Sequence, residues 1–193
     1  MTLFIVGLVL FLGIHSVGIV APGWRDAQAA QRGEAAWKGL YSIVSLLGFV
    51  LLVYGYGVAR QSTPVLYTPP VALRHFALLL MVPVFPLLLA AYLPGRIQSA
   101  VKHPMLLAVK FWATAHLLAN GTLVDVLLFG AFLAWAVVDR IAVKRRALPR
   151  TVPGAPRSAV NDAIVLVGGL ALYGAFLMWG HLWLIGVSPL PAR

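Results

Sequence analysis

Residues 102–121, KHPMLLAVKFWATAHLLANG, form an apolar stretch long enough to enter a lipid bilayer as a helix. The stretch carries a histidine near each end, His103 and His116, and Lys110 lies between them. Ionisable side chains are costly at bilayer depth, so their presence there indicates a functional site. Two imidazoles on one membrane helix point first to ligation of a metal ion or of haem.

The rest of the chain has the same apolar character. Of its 193 residues, 61% are hydrophobic and only 10% are charged, whereas a soluble domain has about 25% charged residues. Because lipid offers the backbone no hydrogen-bond partners, each apolar block should be a helix. The predicted helices cover residues 2–21, 38–59, 71–93, 104–119, 122–139 and 162–187. The sequence therefore predicts an all-α polytopic integral membrane protein, with six transmembrane helices in one bundle and a single membrane domain over residues 1–193.

Two features of the sequence refine this topology. Pro83 and Pro86 fall inside the third predicted helix and should kink it. The net charge is +10, yet only three of the 15 lysines and arginines fall on one side of the membrane, namely Arg60, Arg74 and Arg193. The positive-inside rule then predicts that the basic loop 140–161 is cytoplasmic and that both termini face out. This loop should contact anionic lipid headgroups, so the charge does not indicate nucleic-acid binding.

The absence of cysteine restricts the possible cofactors. Iron–sulfur clusters and thiolate zinc sites are excluded, so a metal ion would need histidine, aspartate or glutamate ligands. His103 and His116 cannot bind one small metal ion, because the thirteen residues between them span about 20 Å of helix. His103 and Lys110 lie close to one face of that helix, and His116 lies nearly opposite. Lys110 either snorkels to the interface or pairs with an anionic group such as a haem propionate.

Other helices offer partners for His116. Asn120-Gly121 is a turn signal, so the fourth and fifth helices should form a tight hairpin with His116 level with Asp125. The Asp125 carboxylate would then orient a ligating imidazole, or serve structure alone. By depth in the membrane, His181 is the nearest histidine to His116, whereas His15 differs from it by roughly 12 Å. Each histidine also has an alternative role as a buried, hydrogen-bonded structural side chain.

The sequence resembles a known family, the NnrU proteins. The resemblance covers essentially the whole chain and rests on KHPMLLAVKFWATAHLLANG, His15, Leu40-Tyr41-Ser42, His181, Gly186-Val187 and Pro189. NnrU proteins are bacterial integral membrane proteins associated with nitrite and nitric oxide respiration. The resemblance therefore implies a bacterial inner-membrane protein, with both termini in the periplasm.

The NnrU family is similar to the 15-cis-zeta-carotene isomerases, which are membrane enzymes that contain haem b. In those enzymes, ferrous haem opens a coordination position and so permits double-bond isomerisation. The resemblance implies that His15 and His116 bind haem here, with His103 and His181 as further functional histidines. Those isomerases are thought to use a cysteine as an alternative ligand. This chain has none, so a switch from histidine to cysteine is excluded.

These observations lead to one main hypothesis and two alternatives. The main hypothesis is a haem b protein with His116 and either His15 or His181 as axial ligands, acting on nitric oxide or on an apolar small molecule as a sensor or an isomerase-like enzyme. The first alternative is a haem-free accessory protein for denitrification enzymes. The second is a membrane methyltransferase that uses S-adenosylmethionine, because Lys102-His103-Pro104 resembles the Arg-His-Pro motif of that class.

Overall fold

The computed structural model describes residues 1–145 and 154–190. Within these residues the chain is helical apart from short connections, and its single β-bridge joins Val65 to Thr122. Five helical segments are long and apolar enough to cross a membrane, and a further apolar helix, Pro104–Ala119, has 16 residues. An α-helix of that length reaches about 24 Å, short of the roughly 30 Å hydrocarbon core. The all-α membrane class is confirmed, and the count of six spanning helices stays a prediction.

The helices follow one another with short connections. Their bounds are α1 Thr2–Val20, α2 Pro22–Arg32, α3 Glu34–Ala59, α4 Val71–Met81, α5 Val84–Ala90, α6 Arg96–Val101, α7 Pro104–Ala119, α8 Leu123–Arg145, α9 Ala159–Ala175, a π-helix Phe176–Gly180, and α10 His181–Ile185. The predicted bounds of α7 are confirmed, whereas α8 continues six residues beyond its predicted end at 139. Residues 140–145 and 159–161 of the predicted loop 140–161 are therefore helix. Its residues 146–153, including Arg146 and Arg150, lie outside the described residues.

The structure shows the expected break at Pro83 and one additional helix, α2. The third predicted helix is interrupted at Pro83, between α4 and α5, where a proline lacks the N–H that would continue the backbone ladder. The helix α2 was not predicted. It begins with Pro22 at its first position, which suits a helix start, and Trp24 packs edge-on against Trp37 of α3 with ring centroids 5.8 Å apart.

The helices form two compact units, each made of two separate stretches of chain. The first unit comprises Met1–Pro69 and Asn120–Ala147, and the second comprises Pro70–Ala119 and Leu148–Arg193. In the first unit, α1 packs against α2, α3 and α8. In the second unit, α7 packs against α4 and α5, and α5 packs against α9. The prediction of one membrane domain stays a prediction.

The contact between α1 and α3 is a backbone-to-backbone packing that depends on glycine. Gly48 and Gly55 of α3 face the backbone of α1 at Phe11 and Phe4. A methyl group at Gly48 would lie 2.7 Å from the Phe11 nitrogen, and one at Gly55 would lie 2.6 Å from Phe4 Cα. Small residues allow membrane helices to approach this closely and to gain van der Waals contact. Phe4 is accordingly 0% exposed.

In the second unit, the start of α9 is fastened to the segment before α6. The buried Asn161 donates from Nδ2 to the carbonyls of Pro94 at 2.7 Å and Pro156 at 2.9 Å. The Asp162 carboxylate accepts the N–H groups of Arg96 at 2.9 Å and Ile97 at 3.0 Å. These bonds satisfy backbone groups at helix ends and fix where α9 begins.

Candidate functional site

Two of the five histidines meet in the second unit. His116 lies in the last turn of α7, and His181 is the first residue of α10. The centroids of their rings are 6.4 Å apart, and the ring planes differ by only 20°. Both side chains are half-buried. We call His116 and His181 the histidine pair.

Each ring of the histidine pair is held by a backbone carbonyl. His116 Nδ1 lies 2.8 Å from the Trp112 carbonyl oxygen, and His181 Nδ1 lies 2.6 Å from that of Val187. A carbonyl oxygen can only accept, so Nδ1 carries the proton in both rings and donates it. In the neutral imidazole, Nε2 then holds the lone pair. This tautomer is the one that metal-binding histidines adopt when their other nitrogen is hydrogen-bonded.

The local structure around His181 sets the direction of its ring. The π-helix Phe176–Gly180 inserts a wider turn immediately before His181, and Phe176 contacts the imidazole edge-on at 5.7 Å. Single π-turns inside α-helices occur frequently at functional sites. Gly186 then ends α10 with φ 75°, a left-handed conformation that favours glycine. The turn at Gly186 brings the Val187 carbonyl back to His181.

The histidine pair has the spacing that two ligands of one metal ion require. With a metal–nitrogen distance of about 2 Å and ~1 Å more to each ring centre, imidazoles on opposite sides of one ion have centres about 6 Å apart. Within residues 1–145 and 154–190, no group of three or more histidine, aspartate or glutamate side chains could hold a metal ion. Haem needs only axial ligands from the protein, because the macrocycle binds the iron in its plane. Two histidines are as many protein ligands as a haem uses.

His15 lies in the first unit, on α1. Its ring contacts Phe11 of α1 at 4.3 Å, Tyr41 of α3 at 5.3 Å and Trp135 of α8 at 6.0 Å. His15 Nδ1 lies 2.6 Å from the Phe11 carbonyl oxygen, so this ring too donates from Nδ1 and leaves Nε2 with the lone pair. His15 belongs to a different unit from the histidine pair, and its role as a haem ligand stays a prediction.

Asp125 has a different environment from the one the sequence suggested. Residues 120–122 do not form the predicted Asn-Gly turn. Instead, Thr122 forms a β-bridge with Val65, and the Gly121 carbonyl accepts the Leu66 N–H at 2.8 Å. The Thr122 hydroxyl accepts the Asp125 N–H at 3.4 Å, and Asp125 Oδ2 in turn accepts the Thr122 N–H at 3.3 Å and the Thr122 hydroxyl at 2.6 Å. This reciprocal pair is a capping box at the start of α8.

A second helix also holds Asp125. The Tyr56 hydroxyl on α3 donates to Asp125 Oδ1 at 2.6 Å, and Asp125 is only 6% exposed. The carboxylate thus caps α8 and ties it to α3, all within the first unit. Its proposed role in orienting His116 stays a prediction, and its contacts explain why a carboxylate is tolerated at this depth. The spacing Thr122-x-x-Asp125 was visible in the sequence and indicates the cap.

Removing one of these bonds should weaken the first unit. We expect Tyr56→Phe to lower the free energy of unfolding by about 1.5–3 kcal/mol, because a buried carboxylate loses one charged hydrogen bond. Thermal unfolding of the purified protein in detergent would measure the change. Tyr54→Phe is the matched control, since Tyr54 is 63% exposed on the same helix. Equal unfolding temperatures for the two variants would contradict the role given to Tyr56.

The remaining predicted site residues lie along α7. His103 immediately precedes α7, and its carbonyl accepts the Leu107 N–H at 3.2 Å. Lys110 is half-buried on α7, seven residues further along and so near the same face. Their functional roles stay predictions. No sequence pattern indicated the π-helix or the hydrogen bond between His181 and the Val187 carbonyl.

Comparison with known proteins gives one match. A family model described as NnrU protein matches residues 3–189, nearly the whole chain. No curated protein and no solved structure matches the chain.

Proposed function

Since this chain belongs to the NnrU family and its second unit holds the histidine pair, we propose that it is a haem-b-binding membrane protein. His116 and His181 are the proposed axial ligands, and His15 is the alternative to His181. The observation that carries the proposal is the pair of near-parallel rings 6.4 Å apart, each pinned at Nδ1 by a carbonyl. In this tautomer, Nε2 is the atom of each ring that would bind iron.

The residues around the histidine pair orient the two imidazole rings and pack against them. The carbonyls of Trp112 and Val187 keep each ring in the ligating tautomer, and such supporting hydrogen bonds contribute to metal affinity. The rings of Trp112 and Phe176 pack against the two imidazoles. Lys110 is the proposed partner of a propionate. A bound haem would supply one-electron chemistry and, with one axial position open, binding of nitric oxide or an alkene.

The two proposed ligands differ in how well the helices that carry them are packed. His116 lies within the 16-residue helix α7, which packs against α4 and α5. His181 begins a five-residue helix that follows the π-turn and contains no buried residue. Moving His181 therefore breaks fewer contacts, and we assign it as the imidazole that can leave. A ligand that can leave suits a redox-gated, isomerase-like or nitric-oxide-responsive protein. The family suggests the link to nitrite and nitric oxide respiration and the bacterial inner membrane, and the charge pattern suggests periplasmic termini.

A visible spectrum of the purified protein tests the proposal. Full-length protein, expressed with an adequate haem supply and purified in detergent, should show a Soret band and, after reduction, the sharp bands of a haem with two imidazole ligands. The extracted pigment should behave as haem b. A preparation that is folded but shows no Soret band would overturn the proposal and favour the haem-free accessory role.

A further inference from the structure

The first unit contains a second set of polar side chains, apart from the histidine pair. His15, Tyr41 and Trp135 project from α1, α3 and α8 to one place. Trp135 meets the His15 ring edge-on, with an interplanar angle of 88°, and Phe11 covers another side of His15. We call His15, Tyr41 and Trp135 the aromatic triad.

One polar atom of the aromatic triad lacks a partner. Trp135 Nε1 is buried, and among the described residues nothing accepts its hydrogen bond. Native proteins rarely leave a buried N–H unpaired, so such a group indicates an acceptor beyond those that residues 1–145 and 154–190 supply. The neighbouring His15 offers the complementary group. Its Nδ1–H is committed to the Phe11 carbonyl, and its Nε2 carries a lone pair.

A donor and a lone pair at adjacent positions match a particular ligand chemistry. An oxygen atom can accept from Trp135 Nε1, and a hydroxyl hydrogen can be donated to His15 Nε2. Asp139 lies one turn beyond Trp135 on α8, and an acidic side chain there disfavours an anionic ligand. The aromatic faces of Phe11, Tyr41 and Trp135 favour a flat ring. The surrounding helices are apolar, so the ligand would reach the triad through the lipid.

We propose that the aromatic triad binds the ring of a membrane-soluble quinone or quinol. A ring oxygen accepts from Trp135, and in the quinol form a hydroxyl group donates to His15. The proposal rests on the proposed function in one respect, because it requires that the histidine pair binds the haem and leaves His15 free. It assigns to the first unit a ligand other than the haem for which His15 is the alternative axial residue.

Quinone binding to the full-length protein in detergent tests this proposal. Equilibrium dialysis would measure the dissociation constant of decyl-ubiquinone for the unmodified protein and for Trp135→Phe, which keeps an aromatic ring but removes the N–H. We expect Trp135→Phe to bind about tenfold more weakly, as expected for loss of a buried hydrogen bond. Trp24→Phe is the matched control, since Trp24 is 55% exposed, and it should bind normally. Decylbenzene, which has the tail but no oxygen, should bind equally weakly to all three proteins.

The outcomes separate this proposal from the haem proposal. If the unmodified protein binds no decyl-ubiquinone, or if Trp135→Phe binds it unchanged, the acceptor at Trp135 is a water molecule or another ligand, and the quinone site is wrong. If His15→Ala removes the haem absorbance, His15 is an axial ligand and the quinone proposal is wrong, while haem binding stands. If Trp135→Phe does not elute as a folded protein, His15→Phe keeps an aromatic ring but removes the Nε2 lone pair, and it should weaken binding of decyl-ubiquinol in the same assay.

Discussion

Replacing His116 with alanine is expected to remove most of the haem from the purified protein. His116 supplies one of two axial nitrogens and belongs to the longer and better packed of the two helices. Loss of a group that merely orients a metal ligand already costs about 10–100-fold in affinity. Loss of the ligand itself should therefore reduce haem content by more than about tenfold. The ratio of Soret to protein absorbance measures this directly.

The companion variants determine which residue is the second ligand. His181→Ala should retain part of the haem with a shifted Soret band, and its reduced form should bind added carbon monoxide, because one axial position is open. His75→Ala is the matched control in the same unit, since His75 is exposed on α4. A normal reduced-minus-oxidised spectrum in His116→Ala would show that the central ligand is wrong. A normal spectrum in His181→Ala, with loss in His15→Ala, would reassign the second ligand to His15.

Replacing Gly55 with leucine is expected to prevent the first unit from folding. A Cβ at this position would overlap the backbone of α1 at Phe4, and a helix backbone cannot give way as a flexible side chain can. Overpacking costs about 1–3 kcal/mol even where side chains can shift, and the cost here should exceed that range. We expect little or no monodisperse protein when the detergent extract is examined by size-exclusion chromatography.

Gly57→Leu provides a closely matched control for this effect. Gly57 lies two residues further along α3, and among the described residues no atom lies within 4 Å of an added Cβ. This variant should be recovered at a normal yield with an unchanged unfolding temperature. Similar yields for Gly55→Leu and Gly57→Leu would show that the close approach of α1 and α3 does not stabilise the protein.

The length of each apolar stretch predicted the apolar helices well, but it did not indicate the polar or very short helices. The bounds of α1 and α7 follow from uninterrupted apolar residues, and the break at Pro83 follows from its missing N–H. The helix α2 was not predicted because its sequence, PGWRDAQAAQR, is too polar to be taken for a membrane span. The helix α6 was not predicted either, because six residues are too few to show a hydrophobic period.

The candidate site was partly predictable for a similar reason. The depth of His116 and His181 along their helices indicated that they could approach each other, and the structure places their rings side by side. The pairing of His116 with Asp125 rested on a turn at Asn120-Gly121 that does not form. A local pattern, Thr122-x-x-Asp125, binds the carboxylate instead. The contacts of Tyr56 and Val187 depend on tertiary structure, and no sequence spacing indicates them.

The division of each compact unit into two stretches of chain has a consequence for biosynthesis. During translation the ribosome completes α8, and with it the first unit, before it makes α9 and α10. His116 is therefore made before His181 has been synthesised, whereas α1, α3 and α8 can already assemble at that stage. Loading of the proposed haem between His116 and His181 would then be one of the last events in maturation. A nascent chain arrested after α8 should contain a finished aromatic triad but only half of a haem site.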